Sequence, residues 1–202
     1  ECKEEARNKG ITRHFGRVKE LCHLKNAELE KKHQKYKGRS VFEGDWITDQ
    51  EGFRAVFTDQ GASATTMAST KFLDAIARMP GMAGSDADAE GAYTQMKFKE
   101  AERLLGKGSI PETWVTIPEH RQPDAWRGKY KDPVVPLLVN LYGHPLAGLL
   151  WEKGCEEKLL QLGFEHIKNW ENMYVHKKKK LFLSVYVDDF HMAGVEKNIP
   201  EM

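Results

Sequence analysis

Apolar positions recur along this chain with two different periods. Met67, Phe72, Leu73, Ile76 and Met79 fall at helical spacing, and Pro80-Gly81 ends the run, which predicts a helix over 63–79. Leu149, Leu150, Leu159, Leu160 and Leu162 repeat that period, with Gly163 as a stop, and predict a second helix over 149–162. Elsewhere the period shortens. Ser40-Val41-Phe42-Glu43-Gly44 and Phe53-Arg54-Ala55-Val56-Phe57 read as strands around the turn-forming Asp49-Gln50-Glu51-Gly52, a first hairpin. Thr113-Trp114-Val115-Thr116-Ile117 is a strand within an otherwise irregular stretch over 104–133, and Val134 to Tyr142 is an apolar run broken by Pro136. Residues 172–176 and 181–187 are β-rich runs around Lys177-Lys178-Lys179-Lys180, a second hairpin with a solvated tip.

Before all of these, residues 1–36 are rich in helix formers, and Leu21, Leu24 and Leu29 make a thin apolar stripe. They read as a basic helical leader to a body spanning 37–202. Helices mixed with hairpins, with no internal repeat, indicate an α+β fold.

The 202 residues suffice for one domain and a small lobe, and no apolar run reaches the length of a membrane helix. The charged start, Glu1-Cys2-Lys3-Glu4-Glu5, has no apolar stretch of a secretory signal and no Met, so the chain is expected to be an intracellular piece of a longer product, not secreted and with no membrane partner. Cys2, Cys22 and Cys155 are odd in number and form no Cys-x-x-Cys pair, so reduced thiols are expected. His23, His33, His120, His166 and His176 show no ligand spacing. Trp114, Trp126, Trp151 and Trp170 read as core, and Cys155 as packing. The formal charge of +1 argues against a nucleic-acid binder only as a sum. Residues 1–40 carry 12 basic and 6 acidic side chains, whereas 41–103 carry 6 and 11.

Candidate chemistry is concentrated in Val185-Tyr186-Val187-Asp188-Asp189-Phe190. Two carboxylates at the end of a buried strand are costly without a counter-charge, and Mg²⁺ is suited to carboxylate oxygens. An Asp-Asp pair alone is usually only a polar turn. A second acidic element, Ser85-Asp86-Ala87-Asp88-Ala89-Glu90, changes the balance. If the two segments are neighbouring strands, Asp88 and Asp188 converge in the geometry of a two-metal site. Asp86 and Glu90 read as loop acids.

Tyr186-Val187-Asp188-Asp189 resembles the Tyr-x-Asp-Asp signature of reverse transcriptases, and Asp88 with Tyr93 five positions on resembles their first catalytic-Asp motif. Lys37-Gly38-Arg39-Ser40-Val41 is similar to the Lys-Ala-Arg-Leu-Val of copia-type LTR retrotransposon polymerases. Leu141-Tyr142-Gly143, continuing to Ala147 and Trp151, is similar to their Leu-Tyr-Gly-Leu-Lys-Gln-Ala-x-x-x-Trp block, and residues 112–118 fit the strand between. Five blocks in the family's order span 37–194.

The resemblance implies the fingers and palm of an RNA-directed DNA polymerase in a mobile-element polyprotein. The palm would be a ferredoxin-like antiparallel sheet with helices. The thumb and RNase H domain would lie further along the same polyprotein. Primer-template and dNTPs would be its partners, two Mg²⁺ ions (or Mn²⁺) its cofactors, and a cytoplasmic particle or the nucleus its location. Asp88, Asp188 and Asp189 would be catalytic metal ligands, joined by the Ala89 carbonyl. Lys37 and Arg39 would hold the triphosphate and Tyr93 would lie under the deoxyribose. Tyr142 and Gly143 would flank the nascent base pair, and Tyr186 would face nucleic acid. His144-Pro145-Leu146 replaces Leu-Lys-Gln of the family pattern, removing a templating contact from Lys or Gln there. The alternative is a degenerate or truncated, inactive element fragment that at most binds nucleic acid through residues 1–40.

Overall fold

The computed structural model describes residues 1–57, 65–106 and 110–201. In chain order its elements are helix α1 (Cys2–Lys9), strands β1 (Arg13–Lys25) and β2 (Lys35–Phe42), helix α2 (Met67–Ala77), strand β3 (Met82–Asp88), helix α3 (Phe98–Leu105), strands β4 (Glu112–Thr116) and β5 (Val135–Pro136), helix α4 (Ala147–Gln161), and strands β6 (Glu165–His166), β7 (Met173–His176), β8 (Leu181–Tyr186) and β9 (Asp189–Val195). The fold is α+β, as expected. No helix among the described residues is long and apolar enough to cross a membrane. The chain divides into two units, one of Glu1–Asp59 with Met96–Ala147, the other of Gln60–Gln95 with Gly148–Met202.

The first unit holds a four-stranded mixed sheet in the order β2-β1-β4-β5, with β1 and β4 parallel. Phe42, Ile47 and Val115 are its buried centre, surrounded by Val18, Phe57, Ile117, Val135 and Leu141. Here the helical leader is corrected. Only Cys2–Lys9 is helical, and Arg13–Lys25 is one long strand paired antiparallel with β2 from Val18↔Phe42 to Lys25↔Lys35. Residues 1–36 are therefore built into this sheet rather than leading to it. Arg13–Gly16, at the inner end of β1, are buried, while the outer part of the strand is largely exposed. An exposed hairpin needs no inward-outward alternation, so Leu21 and Leu24 left a helical spacing that pairing overrode.

The first predicted hairpin is corrected too. Its turn is real, since Asp49 Oδ1 accepts the N–H groups of Glu51 and Phe53, each at 2.9 Å. The flanking residues make only isolated bridges, Thr48↔Arg54 and Thr48↔Phe15, because β2 is taken by β1.

The second unit is a five-stranded, fully antiparallel sheet ordered β3-β9-β8-β7-β6. The hairpin over 172–187 forms as expected, with Tyr174 opposite Leu183. The helix predicted over 63–79 is α2, capped by the Thr66 hydroxyl, which accepts the Ser69 N–H at 3.3 Å; its expected start at Ser63 lies outside the described residues. Alternation along the ladders puts Phe182, Met173 and Ala193 on one face, where Leu73 of α2 is buried among them. Trp151 and Cys155 of α4 share a cavity with Tyr174 and Val185 of the opposite face. With Leu181, Leu183, Ser184 and Val185 all buried, β8 is covered on both sides.

Candidate metal centre

Antiparallel register builds the site. β3 ends at Asp88, and β9 begins at Asp189, its partner in the ladder. Between β8 and β9 only Val187 and Asp188 turn the chain. The Ala89 N–H donates to the Asp188 carbonyl at 2.8 Å, tying the end of β3 to that turn. One oxygen from each of Asp88, Asp188 and Asp189 consequently lies within 4.8 Å of the other two. Convergence of the two acidic segments is thus found, with Asp189 rather than Asp188 as the direct cross-strand neighbour of Asp88.

The turn is strained and held. Val187 has φ +56°, a left-handed conformation that β-branched residues rarely adopt. Its carbonyl accepts the indole N–H of Trp151 at 2.5 Å. Trp151 is buried, as core packing predicted, but that hydrogen bond gives it a positioning role that sequence alone did not reveal. Its place in the Leu-Tyr-Gly block was the available signal.

The donor set fits a hard cation. Three carboxylates crowd together, and among the described residues none of them has an ion pair or a side-chain hydrogen bond to relieve the repulsion. Oxygen-only donors from a rigid turn and an adjacent strand end suit Mg²⁺ or Mn²⁺. The Ala89 carbonyl accepts the Ala92 N–H at 3.2 Å, which leaves it one lone pair for such an ion. Tyr93, half-buried in the short 3-10 segment Ala92–Gln95, belongs to the same unit. Tyr186 is half exposed at the end of β8.

Two rungs further along the sheet stands His191, which sequence reasoning passed over. Its Nδ1 is hydrogen-bonded to the Asp86 carboxylate, and its Nε2 lies 3.5 Å from Asp74 of α2. Asp86 is therefore a cross-strand partner and not a loop acid.

The other residues that the resemblance singles out belong to the first unit. Lys37 and Arg39 are exposed on β2, and the Arg39 guanidinium stands 5.2 Å over the Tyr142 ring. Gly143 has φ +89°, and a Cβ there would lie 2.1 Å from the Phe42 carbonyl oxygen. Its close approach is to the backbone of β2, which accounts for the glycine without a substrate. His144 is buried among the rings of Phe42, Phe98 and Phe57. Burial pushes its imidazole down to about 4, helped by the nearby His14, so this histidine serves the core.

The basic hairpin has a consistent polarity. Directly opposed residues share a face, so Lys19, His23, Lys25, Lys35, Lys37 and Arg39 lie on one side of β1–β2. Lys177–Lys180 form the β7–β8 turn, where Lys177 pairs with Glu165, as a solvated tip predicts.

Comparison with protein-family models, with curated proteins and with solved structures finds no match to this chain.

Proposed function

We propose that the second unit is the palm of a copia-type reverse transcriptase and that the protein catalyses templated transfer of a nucleotide from dNTP to a primer 3′-hydroxyl. The observation that carries the reading is the clustering of Asp88, Asp188 and Asp189 from two ladder-paired strands and the tight turn beside them. Divalent ions held by these carboxylates and the Ala89 carbonyl would lower the pKa of the primer hydroxyl and neutralise the departing pyrophosphate. The chain's own part is to hold the carboxylates at short range: the β3–β9 ladder sets Asp88 against Asp189, and Trp151 and Ala89 pin the turn that presents Asp188. Tyr93 supplies a flat wall for a deoxyribose. Lys37 and Arg39 supply phosphate donors, Arg39 in a fork suited to paired hydrogen bonds. Tyr142 would flank the nascent base pair, and the exposed Tyr186 would face nucleic acid. The basic face of β1–β2 supports a polyanionic partner, since sequence-independent affinity for nucleic acid comes mainly from such charge.

The test is primer extension on poly(rA)·oligo(dT) with Mg²⁺ or Mn²⁺, alongside Mn²⁺ binding followed by electron paramagnetic resonance. Asp188→Asn is expected to lower extension by roughly a thousandfold, the several kcal/mol that metal-borne charge stabilisation supplies, and to weaken Mn²⁺ binding. Extension that survives Asp88→Asn and Asp188→Asn together overturns the assignment. So does Mn²⁺ binding indifferent to both changes.

A further inference from the structure

We propose that the first unit binds a single-stranded nucleic acid, seating one unstacked base in the cavity at the inner end of β1 and the phosphates along the basic face of β1–β2. The proposal rests on the polyanion reading of that face and goes beyond it in the occupant and the base site. It needs neither the carboxylate triad nor a metal.

The strand sets the layout. Side chains alternate along β1, so Phe15 and Arg17 project to the same side as Lys19, His23 and Lys25 further out. Phe15 and Arg17 line a cavity of about 470 Å³, together with Lys3, Trp46, Glu1 and Asp132. One face thus has an aromatic hollow at one end and a cationic row at the other. From Arg17 to Lys25 the strand covers about 26 Å, so several nucleotides span both, within the ~4–16 of single-strand sites on other folds.

The hollow suits a base. Trp46 is 57% exposed, and the Arg54 guanidinium stands 4.9 Å over its ring. Lys3 stands 5.1 Å over Phe15. Aromatic rings interleaved with cations take a further planar group, and every base has a face that stacks. The ionised side chains of the wall balance, Lys3 and Arg17 against Glu1 and Asp132, so the hollow favours an uncharged base over a phosphate. Its volume falls within the roughly 300–1,000 Å³ of small-molecule sites and holds one nucleotide.

The row suits phosphates. Glu20 is the only acid in β1 and β2, and it points to the other side, where it pairs with His120 and Arg121, each at 2.8 Å. Lys19 is 3.2 Å from Glu43. Among the described residues Arg17, Lys25, Lys35 and Lys37 have neither an ion pair nor a side-chain hydrogen bond. A duplex offers its phosphates equally well, but its bases are stacked on one another and leave no face for Trp46. The exposed ring therefore selects the single strand.

Fluorescence anisotropy on the whole chain, with EDTA present, tests the proposal, using labelled oligo(dT) of about twelve nucleotides and the matching dA·dT duplex. Oligo(dT) is expected to bind at least about tenfold more tightly than the duplex at equal salt. Trp46→Ala should weaken oligo(dT) about tenfold and leave duplex binding within about twofold, which shows the fold intact. Trp46→Phe, which keeps a ring, should recover most of the loss. Lys25→Gln with Lys35→Gln should flatten the slope of log affinity against log salt by about 1.4, two phosphate contacts at ~0.7 each. A duplex bound as tightly as the single strand, an ineffective Trp46→Ala, or an unchanged salt slope overturns the proposal. So does displacement of oligo(dT) by inorganic polyphosphate at equal phosphate concentration, since that ligand has no base. Asp88→Asn with Asp188→Asn should bind oligo(dT) as the native chain does. A loss there would put the site on the second unit and overturn the proposal, while primer extension, read separately, decides the polymerase assignment.

Discussion

Strand β8 and the outer half of β1 are both members of antiparallel hairpins, and they are held in opposite ways. β8 is covered on both faces, so Leu183 is only 2% exposed, whereas Leu21 in β1 is 46% exposed. Main-chain pairing and the adjoining sheet hold β1; packing on two sides also holds β8. The carboxylate turn grows from the end of the doubly buried strand, where surrounding side chains leave few alternative positions. The lysines sit on the exposed hairpin, where charge is cheap and tight placement is unnecessary. A cluster that holds three like charges within 4.8 Å needs the first kind of support, and a surface that only carries exposed charge needs only the second.

The contrast breaks most directly by truncation. Leu183→Ala should cost about 2–5 kcal/mol, a transfer loss plus a cavity, while Leu21→Ala should stay within about 0.5 kcal/mol. Denaturant midpoints of the two variants check this, and similar costs would erase the distinction.

The first unit has its own vulnerable core in His144. Its folded pKa is about 4, below the roughly 6.5 of an unfolded histidine, so the unfolded state binds more protons between these values. The stability that neutral His144 contributes is full above pH 6.5 and is lost as pH falls through 4, by about 3 kcal/mol. His14, also depressed by burial, acts in the same direction. Denaturation midpoints at pH 7 and pH 4.5 should diverge more in the native chain than in His144→Phe.

Smaller effects sharpen the picture at each hairpin's turn or tip. Val187→Gly relieves a left-handed β-branched residue and should stabilise the fold by about 1 kcal/mol. Mn²⁺ affinity should fall several-fold, because a freer turn presents Asp188 less rigidly; unchanged Mn²⁺ affinity would show that strain at Val187 has no part in the site. Lys25→Glu replaces the like-charge pair Lys25↔Lys35 with an attractive one, worth about 0.3 kcal/mol, read as slower amide exchange along β1 and β2 only.

Where burial dictated structure, sequence patterns were readable. Helices expected over 63–79 and 149–162 are found as Met67–Ala77 and Ala147–Gln161, and the hairpin over 172–187 forms around its lysine turn. Met82–Asp88 beside β9 realises the expected meeting of acidic segments. Where pairing with distant residues decided the outcome, the patterns misled. β1 takes β2 on one side and β4, about a hundred positions away, on the other, and nothing local in Arg13–Lys25 announces either partner. Gly143 shows the same limit: its glycine was read as an approach to substrate, and the group it approaches is the Phe42 carbonyl.

The order of residues thus carried the ingredients of the candidate site: two acidic segments, their apolar strands, and the helical periods that cover them. Those are local properties of spacing and composition. Ladder registers, the tie from Trp151 to Val187, the basic face of the hairpin and the cavity behind the carboxylate turn came from contacts between residues far apart in the chain. Their energies depend on which surfaces meet when water is excluded, and no window along the sequence contains both surfaces.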